Sequence, residues 1–199
     1  ADTGGSPYFG AEQVIVLSAS SKTAIGFAQR AAQRDGVNVI GLTSGTNADF
    51  VRSLGFYDTV VTYDDIASIP EVDSVLIDMA GNPDVLGAGH RHLPDRLRYS
   101  MMIGKSHHDA APSARAAGLP GPSPVFFFAP TEVERRRAEW GADDYRQRVV
   151  DATRDFVDGS RSWMTIERHQ GPDGPAAAWA AIHGGTVPPS VGVIASFHE

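Results

Sequence analysis

The sequence predicts a doubly wound parallel α/β sheet followed by C-terminal helices and a short return segment. Three observations predict it. The apolar run Val14 to Leu17 gives way to small polar residues, Ser18 to Ser21, and then to a helical pattern from Lys22. Short runs of aliphatic and β-branched residues recur downstream, separated by stretches long enough for a helix. The chemically informative residues collect at the carboxyl ends of those runs, along one edge of the expected sheet.

Residues 1–12 read as an entry segment that Tyr8 and Phe9 can anchor. Val14 to Leu17 is the first strand and Ser18 to Ser21 its turn. In the helix that follows, Ala24, Ile25, Phe27, Ala28, Ala31 and Ala32 face inward, and Gly36 is expected to end it. Val37 to Leu42 is the second strand, and Thr43 to Thr46 a turn. Thr46 or Asn47 is expected to cap a short helix that Gly55 closes. Thr59 to Thr62 and Ser74 to Asp78 are the third and fourth strands, and a helix runs from Pro83 to His90. Arg96 to Ile103 is the fifth strand, ending at Gly104 to His108. The stretch from Ala110 to Pro130 reads as a long loop around Val125 to Phe128, an apolar run that must bury itself or cover a ligand. Thr131 is expected to cap a charged helix, which Gly141 interrupts before a second helix from Asp143 to Val157. Trp163 to Ile166 is a strand, Pro175 to His183 a short helix and Val191 to Ser196 a last strand. This organisation gives a Rossmann-type domain over residues 13–129, with C-terminal helices and a return strand over 130–199.

Composition narrows the function. The 199 residues are 42% hydrophobic and 21% charged, as in an ordinary globular protein. The net charge of −7, with scattered Lys and Arg, argues against a nucleic-acid or membrane-surface binder. Arg135 to Arg137 read as a solvated helix face. The absence of cysteine excludes disulfides, thiolate catalysis and Cys-based zinc sites. No 18-residue apolar run occurs and the first residues are not a signal sequence, so the expected compartment is cytoplasmic. The chain opens on Ala1 rather than methionine, and a processed chain or a piece of a longer one is expected.

A strand, a tight turn of small residues and a helix make a phosphate site. The first amides of a helix have no intrahelical partner, and the helix dipole adds positive charge there. Three nucleotide sites compete for this turn. A P-loop needs glycine directly before Lys22 and six residues earlier, where Ser21 and Val16 stand. A short-chain dehydrogenase needs Tyr and Lys four apart, and none of the five tyrosines has that partner. A dinucleotide turn would place its glycines at Ser18, Ser21 and Ala24, all small but none glycine. About 20 residues beyond, where an acidic residue would meet the ribose of NAD, the sequence has Thr43 and Ser44. Hydroxyls and loop amides at Ser44 to Asn47 suit a 2′-phosphate instead, which favours NADP, and Lys22 adds charge beside the pyrophosphate.

The run from Val14 to Ile103 resembles the cofactor domain of the medium-chain dehydrogenase/reductase superfamily, in its zinc-free quinone oxidoreductase branch. The likeness rests on Val14 to Ala24, on Phe50 to Tyr63 and on Asp78-Met-Ala-Gly-Asn82. An uncharacterised bacterial domain-of-unknown-function family related to those reductases is closer still, through Ser18 to Ala24, Asp78 to Asn82 and Phe126 to Thr131. That resemblance implies that Ser18 and Ser20 to Thr23 (Ser20, Ser21, Lys22, Thr23) meet a pyrophosphate, and that Thr43, Ser44 and Asn47 meet a 2′-phosphate. It places Tyr63 along the adenosine, and Ala80, Gly81, Ile103, Gly104, Phe126 and Phe127 at the nicotinamide end. It implies NADP as cofactor and a small-molecule substrate, with reduction of a carbonyl or activated alkene by hydride transfer. The superfamily's N-terminal substrate domain has no counterpart here, so a homodimer or an N-terminal partner chain is expected to complete the enzyme. The alternatives are a non-catalytic nucleotide-binding or scaffold domain and one half of a two-chain enzyme.

No catalytic constellation is legible. Lys105 and His107 are candidates for an acid near the nicotinamide. His107 and His108 are adjacent in extended chain and point oppositely, so no shared metal is expected. Asp78 has two readings, a ribose contact or a strand-end carboxylate capping its own turn.

Overall fold

A computed structural model describes residues 7–103 and 118–198. The chain divides into two compact units, Ala1–Glu139 and Trp140–Glu199.

The first unit is built on six parallel strands: β1 (Gln13–Leu17), β2 (Asn38–Thr43), β3 (Thr59–Thr62), β4 (Ser74–Asp78), β5 (Leu97–Met102) and β6 (Val125–Phe126). Their order is β3-β2-β1-β4-β5-β6, the Rossmann arrangement. β1 is central and every residue in it is buried, which is why Val14 to Leu17 read as an unbroken apolar run. Ile15 and Leu17 join Ile40, Leu42, Leu76 and Leu86 in one core cluster, and Val14 and Val16 join Ala24, Ala28, Val39 and Ile77 in another. β1 begins one residue earlier than the apolar run. Gln13 is fully buried there, and its amide donates to the Pro70 carbonyl and the Ser74 hydroxyl, both at 2.8 Å.

The helices are α1 (Lys22–Ala31), α2 (Ala48–Ser53) and α3 (Pro83–His92). Several expected boundaries move, each for a local reason. α1 ends at Ala31, and Gly36, at φ +93°, instead turns the chain into β2. Asn47 occupies the N-cap position of α2 but does not cap it, because its side chain donates to Ser20 Oγ at 3.1 Å. The next helix, α4 (Ala129–Trp140), starts ahead of Thr131, which lies inside its first turn rather than at its cap. Its arginines form intrahelical ion pairs, Arg135 with Glu132 at 2.7 Å and Glu139 at 2.6 Å, and Arg136 with Glu139 at 2.7 Å. Ahead of β1, Phe9 stacks on Tyr99 with centroids 4.1 Å apart, so the entry segment is anchored as the sequence implied.

Of the two expectations for Val125 to Phe128, that they bury or cover a ligand, burial is met only in part, at the half-buried Phe127. Val125 and Phe126 form β6, an edge strand, and Val125, Phe126 and Phe128 are 47%, 42% and 57% exposed. Main-chain pairing with β5 fixes Val125 and Phe126 at the sheet edge, and that pairing holds the backbone without requiring the side chains to bury.

In the second unit α5 (Ala142–Ser160) leads into β7 (Thr165–His169), α6 (Gly174–His183) and β8 (Val191–Ala195). β7 starts later than Trp163 because the Trp163 and Met164 amides bond back to the Ser160 carbonyl, at 3.2 and 2.8 Å, closing α5. β7 and β8 pair in parallel as a two-stranded sheet.

His90, on α3, is fully buried between the Ser100 hydroxyl and the Pro120 carbonyl, each 2.8 Å from a ring nitrogen. Burial lowers its pKa, so the folded protein favours the neutral ring. Its stabilisation is complete above the ordinary histidine value of about 6.5 and is lost as pH falls through the lowered one. The urea midpoint of the wild type is therefore expected to fall more between pH 7.5 and 5.5 than that of His90→Asn, measured by circular dichroism.

Candidate functional site

The strand order reverses at β1, whose neighbours β2 and β4 are followed by crossovers in opposite directions. A parallel sheet opens a crevice at the carboxyl ends beside such a point. Two turns stand there, Ser18 to Ser21 after β1 and Met79 to Asn82 after β4.

The β1 turn is held by its own small residues. Ser18 is left-handed, at φ +57°, and the Ser21 amide donates to its carbonyl at 2.8 Å. The Ala19 amide continues the ladder onto the Leu42 carbonyl at 3.1 Å. Ser21 is the N-cap of α1, and its hydroxyl accepts from the Ala24 amide at 3.3 Å. Lys22 opens the helix with an exposed side chain, and partial burial lowers its pKa. Thr23 is exposed beside it, and Ser20 and Ser21 are half-buried.

The β4 turn is organised by Asp78. Oδ1 accepts from the Ala80 amide at 3.1 Å and the Gly81 amide at 2.9 Å, so Asp78 caps its own turn. Asp78 is fully buried and Oδ2 has no partner among the described residues. Burial raises its pKa above the ordinary carboxylate value, against the pull of the turn amides. The Asp78 carbonyl accepts from the Ile103 amide at 2.8 Å, and the Met102 carbonyl from the Phe127 amide at 2.8 Å, which carries Phe127 to the same sheet edge.

The structure brings together Ser18, Ser20, Ser21, Lys22 and Thr23, and ties Asn47 to them through Ser20. Ser44 follows β2, half-buried. Thr43 is fully buried, with Oγ1 unpartnered among the described residues, so its hydroxyl does not reach the surface. Tyr63, after β3, packs against the core cluster that contains Val61 and Ile66. Ala80, Gly81 and Phe127 stand on the β4 and β6 side. Gly104, Lys105 and His107 lie outside the described residues. Among those described, no group of three or more His, Asp or Glu is placed to hold a metal.

A dinucleotide turn asks three things of its glycines: a tight turn, a bare backbone facing the pyrophosphate, and close helix–strand packing. Ser18 supplies the first through its left-handed φ, and Ala24, 0% exposed, supplies the third. Ser21 departs from the second. Its hydroxyl covers the Ala24 amide, yet a hydroxyl that accepts from an amide keeps its own proton for a phosphate oxygen. The residues therefore fit a diphosphate, for which the hydroxyls would do part of what amides do in a glycine turn.

Sequence reasoning missed Tyr57, half-buried, whose hydroxyl donates to the Ala19 carbonyl at 2.9 Å. The available signal was Gly41 in the adjacent strand, but only the register shows that the two meet.

The family model described as "Protein of unknown function (DUF2855)" matches residues 5–188. The chain belongs to this family. No curated protein matches the DUF2855 chain. Among solved structures it is similar to an alcohol dehydrogenase superfamily protein from Novosphingobium aromaticivorans, with TM-score 0.59 and 18% identity over 94% of this chain and 56% of that one. The quinone oxidoreductase from Coxiella burnetii has TM-score 0.58 and 16% identity, over 92% of this chain and 52% of that one. CurA from Vibrio vulnificus, solved with NADPH, has TM-score 0.57 and 15% identity over 94% of this chain and 57% of that one. The DUF2855 chain thus has the fold of these oxidoreductases and spans just over half of their length.

Asp78 yields a pH prediction. A raised folded pKa makes its contribution greatest below the ordinary aspartate value of about 3.9, and that contribution is lost as pH rises through the folded value. Asp78→Asn cannot titrate, so its melting temperature is expected to change less as pH rises from 4 to 8 than that of the wild type, by scanning calorimetry.

Proposed function

We propose that this protein binds NADPH across the carboxyl ends of β1, β2 and β4, as the cofactor domain of an oxidoreductase that reduces a carbonyl or an activated alkene. The observation that carries this reading is the glycine-free turn at the strand-order reversal, which keeps the left-handed corner and the tight helix packing of a dinucleotide site. The fold it shares with CurA, solved with NADPH, supports the same cofactor.

In this reading the hydroxyls of Ser20, Ser21 and Thr23 and the Lys22 ammonium hold the diphosphate at the start of α1. Ser44 and Asn47 receive the 2′-phosphate, and no carboxylate stands at those positions to repel it. Ala80, Gly81 and Phe127 line the end that carries the nicotinamide. The bound cofactor supplies a hydride, while the protein supplies orientation and a site shielded from water.

The second unit then belongs to a substrate-binding half whose remainder lies outside these 199 residues. Two-stranded parallel sheets are seldom left uncovered, and Ile166, Trp179, Ile182, Ile194 and Phe197 stand 46%, 70%, 56%, 40% and 70% exposed around β7, α6 and β8. That half is a longer part of the same polypeptide or a partner chain.

A second reading, a non-catalytic nucleotide-binding or scaffold domain, is favoured by the Ser21 cap on the Ala24 amide, a donor that a phosphate would otherwise use. Fluorescence titration separates a nucleotide-binding protein from a scaffold. Micromolar NADPH binding, tighter than NADH binding and weakened about tenfold by Lys22→Ala, is the expected result, since one charged contact to phosphate is worth roughly that factor. A folded protein that binds neither nucleotide selects the scaffold.

A further inference from the structure

We propose that Tyr57 is a positioning residue for the phosphate turn: its phenol lies over Gly41 and donates to the Ala19 carbonyl, holding the left-handed Ser18 corner in the shape that receives a diphosphate. The inference rests on the NADPH reading for its ligand, but its geometry stands by itself.

A serine at φ +57° is in a conformation that a glycine adopts freely and an L-residue resists. A turn built of glycine needs no outside support to keep that corner. This one has no glycine from Ser18 to Ala24, so its neighbours must over-determine it. They do so along the three peptide units that follow Ser18. The Ala19 amide is fixed by Leu42 and the Ser21 amide by the Ser18 carbonyl, while the Ala19 carbonyl is held by Tyr57 Oη at 2.9 Å. Ala19 itself is 0% exposed.

Tyr57 reaches Ala19 only because β2 has no side chain at Gly41. A Cβ there would stand 2.8 and 2.9 Å from the Tyr57 ring carbons Cδ1 and Cγ, and 3.1 Å from the Ala19 Cβ. Gly41 and Tyr57 thus form one device: the glycine opens a slot in the sheet surface, and the ring crosses it to the end of β1. Burial raises the phenol's pKa, which keeps it a donor through the neutral range. The Asn47 amide on Ser20 Oγ, at 3.1 Å, steadies the next residue from the adenosine side.

The decisive experiment pairs Tyr57→Phe with Ser18→Gly. Tyr57→Phe keeps the ring over Gly41 and removes only the hydroxyl. It is expected to lower amide-exchange protection at Ala19 and Ser21 and to weaken NADPH binding, each roughly 5- to 30-fold, the range set by the cost of a left-handed non-glycine residue. Adding Ser18→Gly is expected to restore both, because glycine holds the corner unaided. A Tyr57 that served packing alone would not be rescued at Ser18. Unchanged exchange in Tyr57→Phe, or a loss that Ser18→Gly does not restore, overturns the inference. If Tyr57→Phe does not fold, Gly41→Ala displaces the same ring, and the same rescue by Ser18→Gly is expected. Should the wild type bind no NADPH while the exchange pattern still shifts and is rescued, the anchor stands and the cofactor reading fails.

Discussion

The architecture depends on one strand. β1 is hydrogen-bonded on one side to β2 and on the other to β4, and all five of its residues are buried. Parallel strands need long crossovers, and the crossovers keep one hand. A chain that leaves β1 toward β2 and later returns on its other side to place β4 must cover both faces of the sheet. The same reversal parts the connecting segments above the carboxyl end of β1. The site is therefore a consequence of topology before any side chain contributes to it.

What the side chains contribute is unusual for such a corner. A glycine-rich turn is permissive and exposes bare amides. Here Ser18 carries the left-handed angle, Ser21 caps the helix, Asn47 reaches Ser20, and Tyr57 holds Ala19. Conformational freedom is exchanged for a set of explicit hydrogen bonds. Such a turn is preorganised, and its geometry depends on residues distant in sequence in a way that a glycine turn's does not. Asp78 repeats the pattern on the β4 side, where one buried carboxylate gathers the Ala80 and Gly81 amides.

The two units contrast in how they satisfy their hydrophobic residues. The first buries two clusters on either face of its sheet. In the second, Ala178 is the buried hydrophobic residue among those described, while Trp179 and Phe197 are each 70% exposed. Exposed apolar side chains of that size are what the proposed substrate-binding half would cover.

The sequence by itself determined the parallel α/β class and nearly every element, because a doubly covered strand must be apolar without alternation and a helix must alternate near its own period. It also located the tight turn after the first strand, since strand, small residues and helix are contiguous in the chain. Only the tertiary structure decided which of those residues face the crevice. Thr43 is sealed in the core although its neighbour Ser44 is not, and Asn47 serves Ser20 rather than its own helix. The exposure of Phe126 and the meeting of Tyr57 with Gly41 follow from strand order and register. Those are fixed by contacts between residues far apart in the chain, and local pattern carries no record of them.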